Sequence, residues 1–357
     1  MTTMKTFPQE DWQTASPADV GMDAHKLNQA KHWLDEKFAA LNYRVAIVRH
    51  GYLVAEWTHA AAADTKLGIA SANKSLLSCT LGIAIAAGKI RSADDRAVLY
   101  YPEMMDVPEG EGPKEGRYAF EKNTNATLRH LICNVSGYMK PGEEPGKVFN
   151  YQTNGMCVLS HAIEKTYGLY EVDDPEGSPK IPPLYQEKIA APIGAAWDYT
   201  SGSQQMHDRA RTHIFGWGSG ILTSLRDFAR LGWLWCNWGA WAGQQVVPED
   251  WMRQITRIAP DILANSPENT WRYGHGFWTN QKGKLWPDLP REGFTSWGAG
   301  GHYCIVFPGY NLVVAMNPTP YPGQTQPYET HTATWLQQQE VLRLILERAG
   351  TSAARKK

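Results

Sequence analysis

The stretch Ile69-Ala70-Ser71-Ala72-Asn73-Lys74-Ser75-Leu76-Leu77 organises the chain. A serine and a lysine stand three positions apart, and a long apolar run follows. If that run is helical, Ser71 and Lys74 lie one turn apart on one face. The hydroxyl then sits at a helix start, where free backbone N–H groups favour negative charge. An amine beside such a hydroxyl can form an activated nucleophile, with the lysine as proton acceptor. The plain alternative is an N-capping serine and a solvated lysine. The residues that follow weigh against it. Leu76, Leu77, Cys79, Leu81, Ile83, Ala84, Ile85 and Ala86 make a helix apolar nearly all round, so it is expected to be buried. A lysine in the first turn of a buried helix needs a reason.

Outward from this stretch, the chain reads as alternating helix and strand. Upstream, Leu27, Ala30, Leu34 and Phe38 give an apolar stripe and predict a helix over Asp23 to Leu41. Two strands, Tyr43 to Arg49 and Leu53 to Trp57, flank the tight turn His50-Gly51-Tyr52. Downstream, Tyr101 to Asn123 is rich in Pro, Gly and Glu and reads as loop. Short helices are predicted near Thr127 to Asn134 and after Gly155, with Gly168 as a stop. Leu169 to Pro183 is a long acidic loop. Ser224 opens another helix with Asp227 three positions on, and Pro248-Glu249 starts a shorter one. Strand character returns at Tyr273 to Thr279, His302 to Phe307 and Leu312 to Met316. The last two are joined at Pro308-Gly309-Tyr310. A closing helix spans Thr332 to Arg348, with Trp335, Val341, Leu342, Ile345 and Leu346 inward.

This order predicts an α+β fold. One antiparallel β-sheet, built from 1–75 and 270–357 and flanked by N- and C-terminal helices, would carry an inserted mostly helical lobe over 76–269.

The 357 residues suit one or two compact units. A formal charge of −1 without long runs of one sign points to neither nucleic acid nor an anionic membrane as partner. The Arg355-Lys356-Lys357 tail reads as a frayed end. The five cysteines are scattered among apolar residues without a C-x-x-C pair and read as buried thiols of a reducing compartment. The first residues lack a signal-peptide core, and no apolar run reaches membrane-spanning length, so a soluble cytoplasmic protein is expected. Of 15 tryptophans, Trp233, Trp235, Trp238, Trp241 and Trp251 cluster as core, and others are candidates to line a cleft.

A serine nucleophile needs a second proton-handling group and an oxyanion hole. Tyr151, in a loop before a helix, is a candidate for the first. A phenol beside an ammonium has its phenolate favoured and can pass a proton to the leaving group. Taken alone, it reads equally as a packing residue. Trp297-Gly298-Ala299-Gly300-Gly301 is a candidate for the second, since glycines let backbone N–H groups approach a substrate closely. Taken alone, it reads as a plain turn. His302 beside it is a candidate substrate contact or a structural strand histidine. Rival motifs fail. In Gly216-Trp-Gly-Ser-Gly220 the serine stands one place too late for a nucleophile elbow. His207 and His213 lack zinc spacing, and there is no H-E-x-x-H, P-loop or dinucleotide fingerprint. No metal or cofactor is expected.

Taken in order, these motifs resemble the serine β-lactamase and penicillin-binding-protein superfamily. Within it they look most like class C β-lactamases and their esterase and aminohexanoate-oligomer hydrolase relatives. Two further stretches carry the likeness: Thr127-Leu-Arg-His-Leu-Ile-Cys-Asn-Val-Ser-Gly137, before the tyrosine loop, and Gly216-Trp-Gly-Ser-Gly-Ile-Leu-Thr-Ser-Leu-Arg-Asp227, leading into a helix. The resemblance implies a β-lactamase/transpeptidase-like fold. It also implies Ser71 as nucleophile, Lys74 as its activating partner and Tyr151 as second base, with an acyl-enzyme intermediate.

Two departures matter. The family's Y-x-[NS] is here Tyr151-Gln152-Thr153, with Asn154 one place later. The strand motif K-[ST]-G is missing, and Trp297-Gly298-Ala299 takes its place, which would make Gly300 the second oxyanion donor. A tryptophan offers no charge for a β-lactam carboxylate, so neutral ester or amide substrates are expected; Arg272 and Arg291 are the candidates for a substitute charge. The implied activity is a serine hydrolase of small esters or amides. The alternatives are an acyltransferase using the same acyl-enzyme, a β-lactamase or D-alanyl peptidase, and a non-catalytic penicillin-binding-like module. The sequence specifies no oligomeric state.

Overall fold

The turn His50-Gly51 sets the register of the sheet. Both residues have positive φ, 54° and 88°, the geometry whose twist matches that of a two-residue hairpin. A Cβ at Gly51 would lie 1.9 Å from the Thr6 carbonyl oxygen, so the position also admits no side chain. The turn joins β1 (Tyr43–Arg49) to β2 (Tyr52–His59).

In the computed structural model, which describes residues 5–37, 43–203, 210–317 and 335–347, the two ends of the chain share one antiparallel sheet. Strands β8 (Trp278–Thr279), β9 (Phe294–Gly298), β10 (His302–Phe307) and β11 (Leu312–Met316) complete it, in the order β2-β1-β11-β10-β9-β8. The first and last parts of the chain meet where Val45 pairs with Met316 and Ile47 with Val314.

Alternation along each strand gives the sheet two buried faces. Val45, Ile305, Val314 and Met316 meet Leu34 of the Ala24–Lys37 helix and Val341, Leu342 and Ile345 of the Trp335–Leu346 helix, around a void of only ≈ 10 Å³. On the other face, Cys304 and Val313 pack against Gly232 of the Leu225–Cys236 helix. That helix starts as the sequence predicts, with the Ser224 hydroxyl accepting the Asp227 N–H at 3.1 Å. Of the clustered tryptophans, Trp233, Trp235, Trp241 and Trp251 are core, and Trp238 is only partly buried. Trp251 packs against Gly82 and donates its indole N–H to the Ser78 carbonyl at 2.8 Å.

Three features differ from the sequence expectation. The segment 76–269, expected to be mostly helical, also holds strands. It carries β4 (Asp198–Ser203) and β5 (Trp217–Thr223), which join β3 (Leu67–Gly68) from before the segment in a second antiparallel sheet, in the order β3-β5-β4. It also carries a small ribbon of β6 (Ala240–Trp241) and β7 (Gln244–Gln245). Glycine and serine fill β4 and β5, so they lack the apolar alternation that marks a strand. Trp297 and Gly298 belong to strand β9, and only 299–301 form the turn. Most of Tyr273 to Thr279 is irregular, with β8 limited to two residues.

The first helix is Ala24–Lys37 and the last Trp335–Leu346; Asp23 and Glu347 stand just outside them, and the other remaining residues of both predicted spans lie outside the described ones. The same holds for His207 and the Arg355-Lys356-Lys357 tail. All five cysteines are free and buried. No described helix is long and apolar enough to cross a membrane.

Gly232 tests the packing of helix on sheet. A Cβ there would lie 2.4 Å from Cys304 Sγ and 2.5 Å from a Val313 methyl. Gly232→Ala is expected to destabilise the fold by about 1–3 kcal/mol through overpacking, read as a lower urea midpoint with an unchanged m-value. An unchanged midpoint would show that the helix rides free of the sheet.

Candidate active site

Strand β3 delivers the chain to Ser71 through a strained turn. Ala70 holds φ at 47°, a left-handed conformation costly for a residue with a Cβ. One 3₁₀ turn, Ala70–Ala72, then leads into the Asn73–Ala86 helix. Packing from three sides holds the turn. Asn73 donates to the Ala70 carbonyl at 2.8 Å and accepts the Ile221 N–H of β5 at 3.0 Å. Gly276 lies so close that a Cβ would come within 2.6 Å of the Lys74 carbonyl oxygen. The Ser75 hydroxyl donates to the Gly276 carbonyl at 2.6 Å. Gly298 of β9 is closer still, for its Cβ would lie 1.9 Å from the Ile69 carbonyl oxygen and 3.2 Å from the Ala72 nitrogen.

Within this frame Lys74 Nζ donates to Ser71 Oγ at 2.9 Å. The lysine is only 6% exposed, and the Ser71 hydroxyl does not cap the helix. The reading of Ser71 as an N-cap with a solvated lysine is thereby excluded. A buried ammonium needs compensating partners, and a second one is the Tyr151 ring, whose centroid lies 4.9 Å from Nζ. The sequence suggested a phenol hydroxyl beside the ammonium. Here the face of the ring meets it instead.

Tyr151 is held from outside the predicted motif. The Leu128–Ile132 helix, capped by the Thr127 hydroxyl, ends in Asn134 at φ 58°, a conformation asparagine tolerates. The Asn134 carbonyl accepts the Asn150 N–H, and its side-chain oxygen accepts the Gln152 N–H, both at 2.9 Å. Its amide donates to the Tyr273 hydroxyl at 3.0 Å. Tyr151 is therefore clamped on both sides, and its ring stands edge-on to Tyr273 and 5.8 Å from Trp278. At 38% exposure it faces open space. The Thr153 carbonyl accepts the N–H groups of Met156 and Cys157 at the start of the Asn154–Thr166 helix, and its hydroxyl makes no cap.

Strand β9 forms the opposite wall. Ser296 and Gly298 face the nucleophile turn, and Trp297 points to the other face. There it stacks on Tyr303 and approaches Trp278 at 5.1 Å. Gly300 and Gly301 turn the chain with φ of 89° each, and Ala299 precedes them. His302, a candidate substrate contact in the sequence, is a core residue. Its side chain is 0% exposed, and burial above all, with Arg44 adding to it, lowers its pKa to about 4. His302 lies directly across from Gly298 and shares its face, where the close packing of the sheet on the nucleophile turn shuts its side chain in.

The two candidate substitute charges are held by tryptophans, and one of these, Trp278, packs against Tyr151. Arg272 lies over the Trp278 ring at 5.8 Å, and Arg291 reaches the Trp286 carbonyl at 3.4 Å. Further positive charge next to Tyr151 comes from residues the sequence reading passed over. A cavity of ≈ 390 Å³ beside it is lined by Lys114, Arg117, Lys140, Gln152 and Asn154, among others. Among the described residues no group of histidines, cysteines and acids is placed to hold a metal.

Comparison with known proteins agrees with this architecture. A family model described as Beta-lactamase matches residues 33–333. No curated protein sequence matches the chain. A family VIII carboxylesterase superposes with a TM-score of 0.60 at 16% identity, covering 91% of this chain and 99% of that one. EstCE1, described as a hydrolase with promiscuous acyltransferase activity, gives 0.60 at 14% identity over 89% of this chain and 98% of its own. A β-lactamase from Mycobacterium bovis gives 0.57 at 15% identity over 89% and 100%. At such identities the likeness is one of fold, the β-lactamase/transpeptidase-like fold that the sequence motifs imply. The family match spans most of the chain and includes Ser71, Lys74, Tyr151 and strand β9, so this chain belongs to the Beta-lactamase family.

Proposed function

We propose that the protein is a serine hydrolase that cleaves carboxylic esters or amides through an acyl-enzyme on Ser71. The observation that carries this reading is the buried Lys74 Nζ, 2.9 Å from Ser71 Oγ and facing the Tyr151 ring. In the proposed reaction Lys74 enters as its neutral amine: Ser71 Oγ forms a bond to the substrate carbonyl carbon as its proton passes to Lys74 Nζ, which later gives that proton up through Tyr151. The bond to the leaving oxygen or nitrogen then breaks as that atom takes a proton by way of Tyr151. Water attacks the acyl-enzyme by the reverse route and frees the acid.

The oxyanion would be met by the Ser71 N–H and one from the turn after β9. The contact with the nucleophile turn falls on Gly298, which favours aligning Ser296-Trp297-Gly298 with the family's K-[ST]-G. Ala299 then joins Gly300 as a candidate second donor. In this register a buried, neutral Ser296 holds the lysine's place, and its hydroxyl has no hydrogen-bond partner. No cation stands there for a β-lactam carboxylate, which favours ester or amide turnover over β-lactam turnover. The aromatic rings of Trp278 and Tyr273 packed against Tyr151 also suit an acyl acceptor other than water. Transfer to added alcohol tests that second reading.

A fluorophosphonate probe is expected to add to Ser71 and to leave Ser71→Ala unlabelled, read by mass spectrometry. Equal turnover of p-nitrophenyl butyrate by wild type and Ser71→Ala would overturn the proposal. In parallel, nitrocefin is expected to be turned over far more slowly than the ester, and efficient hydrolysis would remove the argument from Ser296 and Trp297. Asn134→Ala is expected to lower kcat about 10- to 100-fold with little change in KM, because it frees the loop that aims Tyr151. A change confined to thermal stability would make Asn134 structural only.

A further inference from the structure

The cavity beside Tyr151 has an uneven charge. Its walls come from the segment carrying Lys114 and Arg117, from Tyr138 to Lys140, and from the tyrosine loop. Three cations line it, and none of the lining residues is an aspartate or glutamate. Lys140 is 6% exposed. Its ammonium donates to the Asn150 carbonyl at 3.0 Å and lies 3.8 Å from Glu143, whose other oxygen accepts from the Asn150 amide at 2.6 Å. Glu143 thus offsets Lys140 from behind the wall. Arg117 reaches only the Met139 carbonyl, at 3.5 Å. Neither Arg117 nor Lys114 forms an ion pair among the described residues. Glu111, close by in sequence, is taken up by Arg211 at 2.8 Å.

Like charges gathered around a concave site raise the local concentration of anions and steer them in. Burial lowers the Lys140 pKa to about 8, against the opposing effect of Glu143, and Arg117 and Lys114 lower it further. An anion in the cavity would relieve the repulsion among the three. The Arg117 guanidinium has the planar fork that carboxylates match. At ≈ 390 Å³ the space takes more than a lone ion, and it falls within the usual range for small-molecule pockets.

We propose that this cavity is the subsite for a carboxylate carried by the substrate, so that the enzyme acts on esters or amides with a free carboxylate a short chain from the scissile carbonyl. The proposal rests on Ser71 as nucleophile. It places the charge recognition on the side of Tyr151 away from β9, with Lys114 and Arg117 as specificity-determining residues.

Three chromogenic esters test it: neutral p-nitrophenyl butyrate, mono-p-nitrophenyl adipate with the carboxylate on the acyl side, and 3-butyryloxy-4-nitrobenzoate with it on the leaving side. At least one carboxylate ester is expected to exceed the neutral ester in kcat/KM by about tenfold, the scale of one charge-assisted hydrogen bond. Which one does so tells which half of the substrate enters the cavity. The double variant Lys114→Gln, Arg117→Gln is expected to abolish that advantage and leave the neutral ester unchanged, while Arg117→Lys alone keeps part of it. In wild type the advantage is expected to shrink in 0.5 M salt through screening. No preference for either carboxylate ester, or a preference that survives the double variant, overturns the subsite. Failure of Ser71 to take up a fluorophosphonate would instead overturn the hydrolase reading beneath it.

Discussion

A single methyl group at position 298 would lie 1.9 Å from the Ile69 carbonyl oxygen, and the geometry of the site depends on that methyl being absent. Here the edge region of the main sheet meets the turn that presents Ser71, backbone against backbone. Residues far apart in sequence are brought together at one short contact. From it follow the alternation that puts Ser296 toward the nucleophile and Trp297 on the far face, and the placement of the 299–301 turn beside the serine. Gly276 repeats the device on the helix side, where a Cβ would come within 2.6 Å of the Lys74 carbonyl oxygen. Two glycines thus make room for one nucleophile.

The same close packing accounts for the lysine. An ammonium that is 6% exposed is costly to bury unless its charge is met, and the fold meets it with the Ser71 hydroxyl and the Tyr151 ring. Tyr151 can serve because Asn134 holds the backbone on both sides of it. The placement of Tyr151 then rests on a residue outside the motif, at the end of a five-residue helix. Beyond this tightly held centre, further positive charge lies to one side. Lys114, Arg117 and Lys140 surround the cavity beside Tyr151, while the lysine's place on β9 is filled by a serine.

Much of the fold was legible because its signals are local. The hairpin at His50-Gly51, the capped start at Ser224 and the amphipathic closing helix each follow from short-range chemistry, and the shared antiparallel sheet follows from their order along the chain. Strands β4 and β5 were missed because glycine and serine there carry no apolar period, and only neighbouring backbone makes them strands. β9 was read as a turn because its glycines mark close packing as often as chain reversal.

In the candidate site, the sequence alone singled out the trio Ser71, Lys74 and Tyr151 that the structure brings together. Ser71 and Lys74 share a helical turn, a short-range relation that spacing encodes, and the run of apolar residues after them made the lysine's burial foreseeable. Only the tertiary structure decided what surrounds them. It showed that Tyr151 offers its ring to the ammonium, that close packing on the face of Gly298 shuts His302 in, and that the close approach falls on Gly298. It also placed Lys114, Arg117 and Lys140, which the sequence reading passed over, around the cavity beside Tyr151. These are relations between segments distant in sequence, set by packing and strand register, and no local pattern of residue types records them.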